Sequence, residues 1–464
     1  MRDIDTSLKI YELSLIWREA EYNFAFWDNL PPSFDWDGEY KKAIARVTAT
    51  DNIFDYYREL MRFISLLRDG HTGVWLPDFP EASAKIPIML SYIDGRFVVT
   101  NVKAEYAEMI RQYDVVKRID GVPISEYMEE NIYPYVWHEQ KESAAGMAIN
   151  LLRNGPAGSR TIYTLEGDDG EYDVTFTRKK GAVNWVCGGI SLSPSEHFET
   201  KAESATHLIE FTEDNIAVIR IPSMEYNALP EEIWNNFSLL REARGYIIDV
   251  RGNGGGNSWN SNLTAALFID KDEFVTGACE YRAHIAPYKA WGMGSYSFGE
   301  TPAVMSMPLE EYTEKYGGDD VDGADIWRMC RRVYREEKTW TCDTSGMNKP
   351  GVLRGPVAIL TDSETGSAAE DFVGIMRANT DATVVGRSTF GSTGQPLFYP
   401  LESGGGFRIC TIKSYLPGKN GEKLEFINRG IIPETEVPLT LDDVKNGVDR
   451  TMDEALRVIR EKLR

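Results

Sequence analysis

The residues with chemical potential in this chain fall in three short segments. In TDSETGSAAEDF, a strand-like apolar run ends near Thr361 and a helical pattern begins near Ser367. A serine at such a junction sits beside helix N–H groups that lack internal acceptors, where the helix dipole favours developing negative charge. That place suits a nucleophilic hydroxyl. It also suits an ordinary N-cap, because Ser367 with Glu370 three residues on reads as a capping box. In DVRGNGGGNS, four glycines follow another buried-strand pattern. They can bring backbone N–H groups close to an anion, as in an oxyanion hole, or simply make a tight turn. No Gly-Lys-Ser/Thr follows, and the GxGxxG spacing is imperfect, which argues against nucleotide phosphates. The third segment is DGHTGV, with His71 at an abrupt helix end. A serine nucleophile needs a base, and histidine is the commonest one near neutral pH. A lone histidine after a helix is also often structural.

Three patterned regions must position these segments. Residues from about 6 to 70 read as helical, most clearly in DNIFDYYRELMRFISLLRDG. There Ile53, Tyr57, Leu60, Met61, Ile64 and Leu67 make one apolar stripe, with Asp51 as expected N-cap and Gly70 as stop. From about 85 to 180 short strands dominate, including a hairpin at Asp168-Asp169-Gly170. From about 183 onward, strands such as IAVIRI, GYIIDV, GPVAILTD and ATVVG alternate with helices near 229–243 and 367–380. Such alternation predicts a layered α/β domain. An irregular, aromatic-rich stretch at 283–350 is expected to be an insertion, either a lid or a surface excursion.

Bulk composition narrows the function. At 464 residues the chain is too long for one core. Its net charge of −22 disfavours nucleic acid and anionic membranes as partners and mostly reports solubility. No apolar run is long enough for an integral membrane segment. The opening MRDIDTSLKIYELSLIW lacks the apolar core of a signal peptide. A cytoplasmic protein, or one whose leader was removed for the cell envelope or secretion, is expected. Five scattered cysteines form no CxxC pair, and five histidines show no metal-ligand spacing.

In chain order, DGHT, DVRGNGGG, TGSAAE, VVGRSTFG and NRGIIPETEV resemble the C-terminal-processing (tail-specific) serine peptidase superfamily over most of the sequence. KRIDGVPISEYM and LLRNGPAGSRTIYTL resemble the second half of a PDZ domain. The resemblance implies an α/β fold in three parts: a helical segment (1–80), a PDZ-like domain (81–182) and a crotonase/ClpP-like catalytic domain (183–464). The processing proteases proper use a Ser–Lys dyad. Here the matching stretch GRSTFGSTGQ offers Ser392 and Thr393, and no lysine occurs between Ser367 and Thr411. The chain is therefore closer to the tricorn-type branch, with a Ser-His-Glu triad. That implies Ser367 as nucleophile, His71 as general base and Glu425, 58 residues after the serine, as the group orienting the histidine; Glu422 is its nearest rival. It places the oxyanion hole on the backbone N–H groups of Gly255 and Ala368, with Gly254 and Gly256 in support. It implies no metal or cofactor, and a peptide or unfolded protein as substrate. One departure stands out: Gly70 occupies the place where the tricorn-type branch carries a hydroxyl. A competing reading on the same scaffold is a non-catalytic binder of peptides or apolar ligands.

Overall fold

The computed structural model describes residues 4–180 except 32, then 185–186, 189–283, four isolated positions between 308 and 314, and 335–464. Most of the expected insertion at 283–350 lies outside the described residues. Its far end is described as a strand, Arg335–Asp343, paired antiparallel with Glu273–Arg282.

A seven-stranded sheet forms the centre of the C-terminal part, and its strands lie side by side in chain order. Glu199–Glu203, Leu208–Phe211 and Ile216–Arg220 are antiparallel. Gly245–Asp249, Val357–Thr361, Thr383–Gly386 and Thr435–Glu436 continue in parallel. The parallel strands read as unbroken apolar runs because both faces are covered. Along Ile216–Ile219, Ala217 and Ile219 join one core while Ile216 and Val218 join the other. Tyr246 and Ile248 against Ile247, and Ile359 against Ala358 and Leu360, divide in the same way. Ala368–Asn379 and Ser258–Ala266 contribute to the first core, and Arg450–Lys462 seals the second with Met452, Leu456 and Ile459. The helix expected at 229–243 is two shorter pieces, Leu229–Asn235 and Phe237–Leu240.

Strands between Ile88 and Thr177 build a separate six-stranded sheet with its own core, backed by helices Ile124–Asn131 and Lys141–Arg153. The hairpin falls where expected, joining Arg160–Gly167 to Gly170–Thr177, with Gly170 at φ 111°. Strand Ile88–Ile93 lies at the edge of this sheet.

The N-terminal helices are Thr6–Asn23, Trp36–Thr48 and Ile53–Ser65. All six residues of the expected stripe are buried. The N-cap is Asn52 rather than Asp51, because the Asn52 side chain accepts from the Asp55 N–H at 2.9 Å. These helices share a core with Leu401, Phe407, Ile409 and Cys410 from far along the chain. Directly after them, Gly73–Trp75 pairs with Gly406–Cys410, in the register Gly73 to Arg408 and Val74 to Phe407. This pairing carries His71 across more than 300 residues of sequence into the C-terminal part. Among the described residues, no helix is long and apolar enough to cross a membrane.

Phe407 is fully buried at this junction. Phe407→Ala is expected to cost about 3–5 kcal/mol in denaturant unfolding and to loosen the N-terminal helices in the same transition. Separate melting of those helices with the rest unaffected would contradict a shared core.

Candidate active site

Ser367 ends the loop after strand Val357–Thr361 and opens helix Ala368–Asn379. Its backbone is at φ 53°, ψ −123°, a region that costs a non-glycine residue about 1–3 kcal/mol. Local bonds hold it there. Asp362 Oδ1 accepts from the N–H groups of Gly252, Glu364 and Thr365, each at 3.0 Å. The Gly366 N–H donates to Asn253 O at 3.0 Å. The Ser367 N–H reaches both Ser392 O and Glu370 Oε2 at 3.0 Å.

Glu370 does more than cap the helix. Fully buried, it accepts from Ser367 N–H, from Gly391 N–H at 2.7 Å, from Ser392 N–H at 2.9 Å, and from the Thr389 hydroxyl. One carboxylate thus binds the serine turn to the loop 389–392. Burial pushes its pKa up to about 7, against the pull of these four donors.

The same loop meets the histidine. Ser392 Oγ lies 2.6 Å from His71 Nδ1. Around it, Asn428 Oδ1 accepts from the Gly70 N–H at 3.2 Å, and Asn428 Nδ2 donates to Arg68 O at 3.2 Å. Thr72 Oγ1 donates to Asp69 Oδ2 at 2.6 Å and accepts from the Cys410 N–H at 3.0 Å. Burial, helped by the nearby Arg408 charge, pushes His71 down to about 3, so its imidazole is neutral at physiological pH. Among the described residues its Nε2 has no partner. His207 borders the same cavity, but its nitrogens are engaged by Thr206 at 2.9 Å and Asn236 at 3.4 Å.

Ser367, His71, Ser392, Gly254 and Gly366 line one cavity of about 1110 Å³. Its far wall includes edge strand Ile88–Ile93 and helix residues Met147 and Ile149. The site is therefore roofed by the second sheet and floored by the serine turn.

The structure places Ser367 and His71 on the wall of one cavity, but not Glu425. Glu425 is exposed and pairs with Lys413 at 3.3 Å. Its rival Glu422 is also exposed and accepts from the Asn420 N–H. Neither borders the cavity. The departure at Gly70 bears on this: a Cβ there would come within 2.8 Å of the His138 ring, so there is no room for a hydroxyl side chain.

The glycine loop also differs in detail. Gly255, at φ 104°, packs so tightly on the serine turn that a Cβ would fall 2.6 Å from Ser367 Cβ. Its N–H, however, donates to Asn253 Oδ1 at 3.0 Å, so it is not a free oxyanion donor. Gly256 packs equally tightly on Glu225. In the glycine loop and the serine turn, the N–H groups of Gly254, Gly256 and Ala368 have no acceptor among the described residues, and of these glycines Gly254 borders the cavity. Among the described residues, no cluster of three or more His, Cys, Asp or Glu side chains could hold a metal ion.

Sequence reasoning missed two members of the site. Ser392 stood at the position of the absent lysine, and that spacing was its only signal. Glu370 was visible as a capping residue, but its bonds to loop 389–392 depend on tertiary contact.

Residues 215–437 match the model of Peptidase family S41. A 100-residue stretch is 29% identical to a carboxy-terminal-processing protease of Bartonella bacilliformis, spanning 22% of this chain and 22% of that protein. The fold is similar to that of mature CPAF complexed with lactacystin, with a TM-score of 0.71 at 16% identity, covering 98% of each chain. It is also similar to a putative peptidase from Parabacteroides merdae, with a TM-score of 0.50 at 18% identity, over 98% of this chain and 97% of that one.

Glu370→Gln leaves one acceptor oxygen for four donors and points an NH₂ at the others. A loss of about 2 kcal/mol or more is expected in denaturant unfolding at neutral pH. Unchanged stability would contradict the shared-carboxylate arrangement.

Proposed function

With residues 215–437 carrying the serine-type peptidase domain of family S41, we propose that the chain hydrolyses peptide bonds through an acyl-enzyme, with Ser367 as nucleophile and His71 as base. The observation that carries this reading is the cavity itself. A serine in a strained turn at a buried helix N-terminus faces the same space as a neutral histidine with a free Nε2. In the proposed reaction His71 Nε2 takes the proton as Ser367 Oγ attacks the carbonyl carbon. The tetrahedral oxygen lies against the Ala368 and Gly254 N–H groups. His71 then protonates the departing amine, and water repeats the sequence to release the acid. Ser392 is a positioning residue: accepting from Nδ1–H, it fixes the tautomer that leaves Nε2 free. This gives Ser392 the orienting role that sequence assigned to Glu425. The extended substrate would run beside edge strand Ile88–Ile93, whose outer backbone groups can pair with it. The substrate is a peptide or an unfolded protein segment.

Steady-state cleavage of denatured casein and short peptides tests the assignment. Ser367→Ala and His71→Ala are expected to abolish it. Ser392→Ala should lower kcat about 10- to 100-fold with little change in KM, and Ser392→Thr should recover much of the loss. Glu425→Gln should stay within about twofold of wild type. A large loss in Glu425→Gln with a normal Ser392→Ala would restore the carboxylate to the triad. No cleavage by wild type would favour the non-catalytic binding alternative.

The pH profile gives a second check. A base with a depressed pKa stays neutral as pH falls through the ordinary histidine range near 6.5. The kcat/KM value should therefore persist to about pH 5 or below. A limb near pH 7 that survives in Glu370→Gln would contradict the assignment of His71.

A further inference from the structure

Five arginines border the cavity that holds Ser367 and His71. Arg220 pairs with Glu210 and Asp249, Arg251 with Asp249 and Asp449, and Arg387 with Glu142 and Asp362. Arg153, buried and also without an ion pair among the described residues, lies 6.0 Å from the Trp185 ring with its Nε sealed from solvent. Arg408 is different. It sits on strand Gly406–Cys410, directly opposite Gly73 and so two residues from His71 in register. Its neighbours Phe407 and Ile409 point into the helical core, which turns Arg408 to the other face. Among the described residues it has no hydrogen bond, no carboxylate at salt-bridge distance and no stacked ring. It is only half-buried, and no nitrogen of it is sealed from solvent, so the guanidinium opens on the cavity. The titratable groups around it are Asp69, His71 and Cys410. Asp69 is buried and spends one oxygen on Thr72.

Asp69 is a carboxylate near Arg408 but beyond ion-pair distance, and a guanidinium partly withdrawn from water with no direct acceptor is costly to keep. Its planar fork of donors matches a carboxylate in two-point contact. Resting on the peptidase reading above, we propose that Arg408 forms an anion subsite beside the catalytic pair and selects substrates that bring a carboxylate next to the scissile bond. The carboxylate belongs either to an acidic side chain or to a free chain end. The preference is local and opposite in sign to the acidic character of the whole chain, whose net charge is −22.

Binding without turnover separates this subsite from the chemistry. Calorimetry on Ser367→Ala would use two matched peptide pairs: an internal Glu against Gln, and a free C-terminal acid against its amide. At least one pair is expected to favour the acid by about 10- to 100-fold, and the pair that does so identifies the source. In Ser367→Ala/Arg408→Gln that ratio should collapse towards one. Arg408→Lys, which keeps the charge without the fork, should give an intermediate value and serves if the glutamine variant fails to fold. Equal binding of acid and amide, a ratio that survives Arg408→Gln, or no binding of any peptide would overturn the subsite. Cleavage of an uncharged peptide by wild type, measured alongside, decides the peptidase reading separately.

Discussion

The site depends on one buried carboxylate with four donors. Glu370 lies at the third position of the helix that Ser367 opens, and it collects N–H groups from both sides of the catalytic junction. Burying a carboxylate is expensive unless its lone pairs are filled, and here they are filled by the elements that must be aligned. The strained backbone of Ser367 and the loop that carries Ser392 are fixed by the same two oxygens. A local distortion at the serine is thus stabilised by a long-range contact, as expected of strain kept for function.

The second constraint is topological. His71 comes from the N-terminal helices, while its partner Ser392 and the serine turn come from the parallel sheet. The short pairing of Gly73–Trp75 with Gly406–Cys410, and the core shared with Phe407 and Ile409, hold the two parts together. Packing remote from the cavity therefore holds His71 on the same wall as Ser367. The same strand turns Arg408 towards the cavity, so one element supplies both core residues and a charged wall.

Much of this arrangement was legible in the sequence. The apolar runs at Ile216, Gly245 and Val357 became the strands expected, because two-sided burial leaves no polar positions to blur the pattern. The strand-to-helix junction at Ser367 was legible, and so was the DGHT segment carrying His71, although the helix expected to stop at Gly70 already ends at Ser65 because the chain turns there. What local pattern lacked was pairing across the chain. Glu425 has a suitable spacing after the serine, yet spacing says nothing about the direction of its side chain, which lies against Lys413. Gly255, expected as an oxyanion donor, lies against Ser367, but the Asn253 side chain takes its N–H, a bond no sequence pattern reveals. The helix cap moved by one residue, from Asp51 to Asn52, which is within the tolerance of any boundary reading.

The acidic composition now has a defined place. The proposed nucleophile, base and oxyanion donors are neutral groups, and the cavity's five arginines face a nearly equal number of carboxylates, so the net negative charge belongs to the rest of the surface. Whether Ser367 is activated by His71 is decided most directly by covalent labelling. After treatment with a fluorophosphonate, intact-mass and peptide mapping should find a single adduct on Ser367, strongly reduced in His71→Ala. No adduct on Ser367, or labelling that is unaffected by loss of His71, would contradict the arrangement described here.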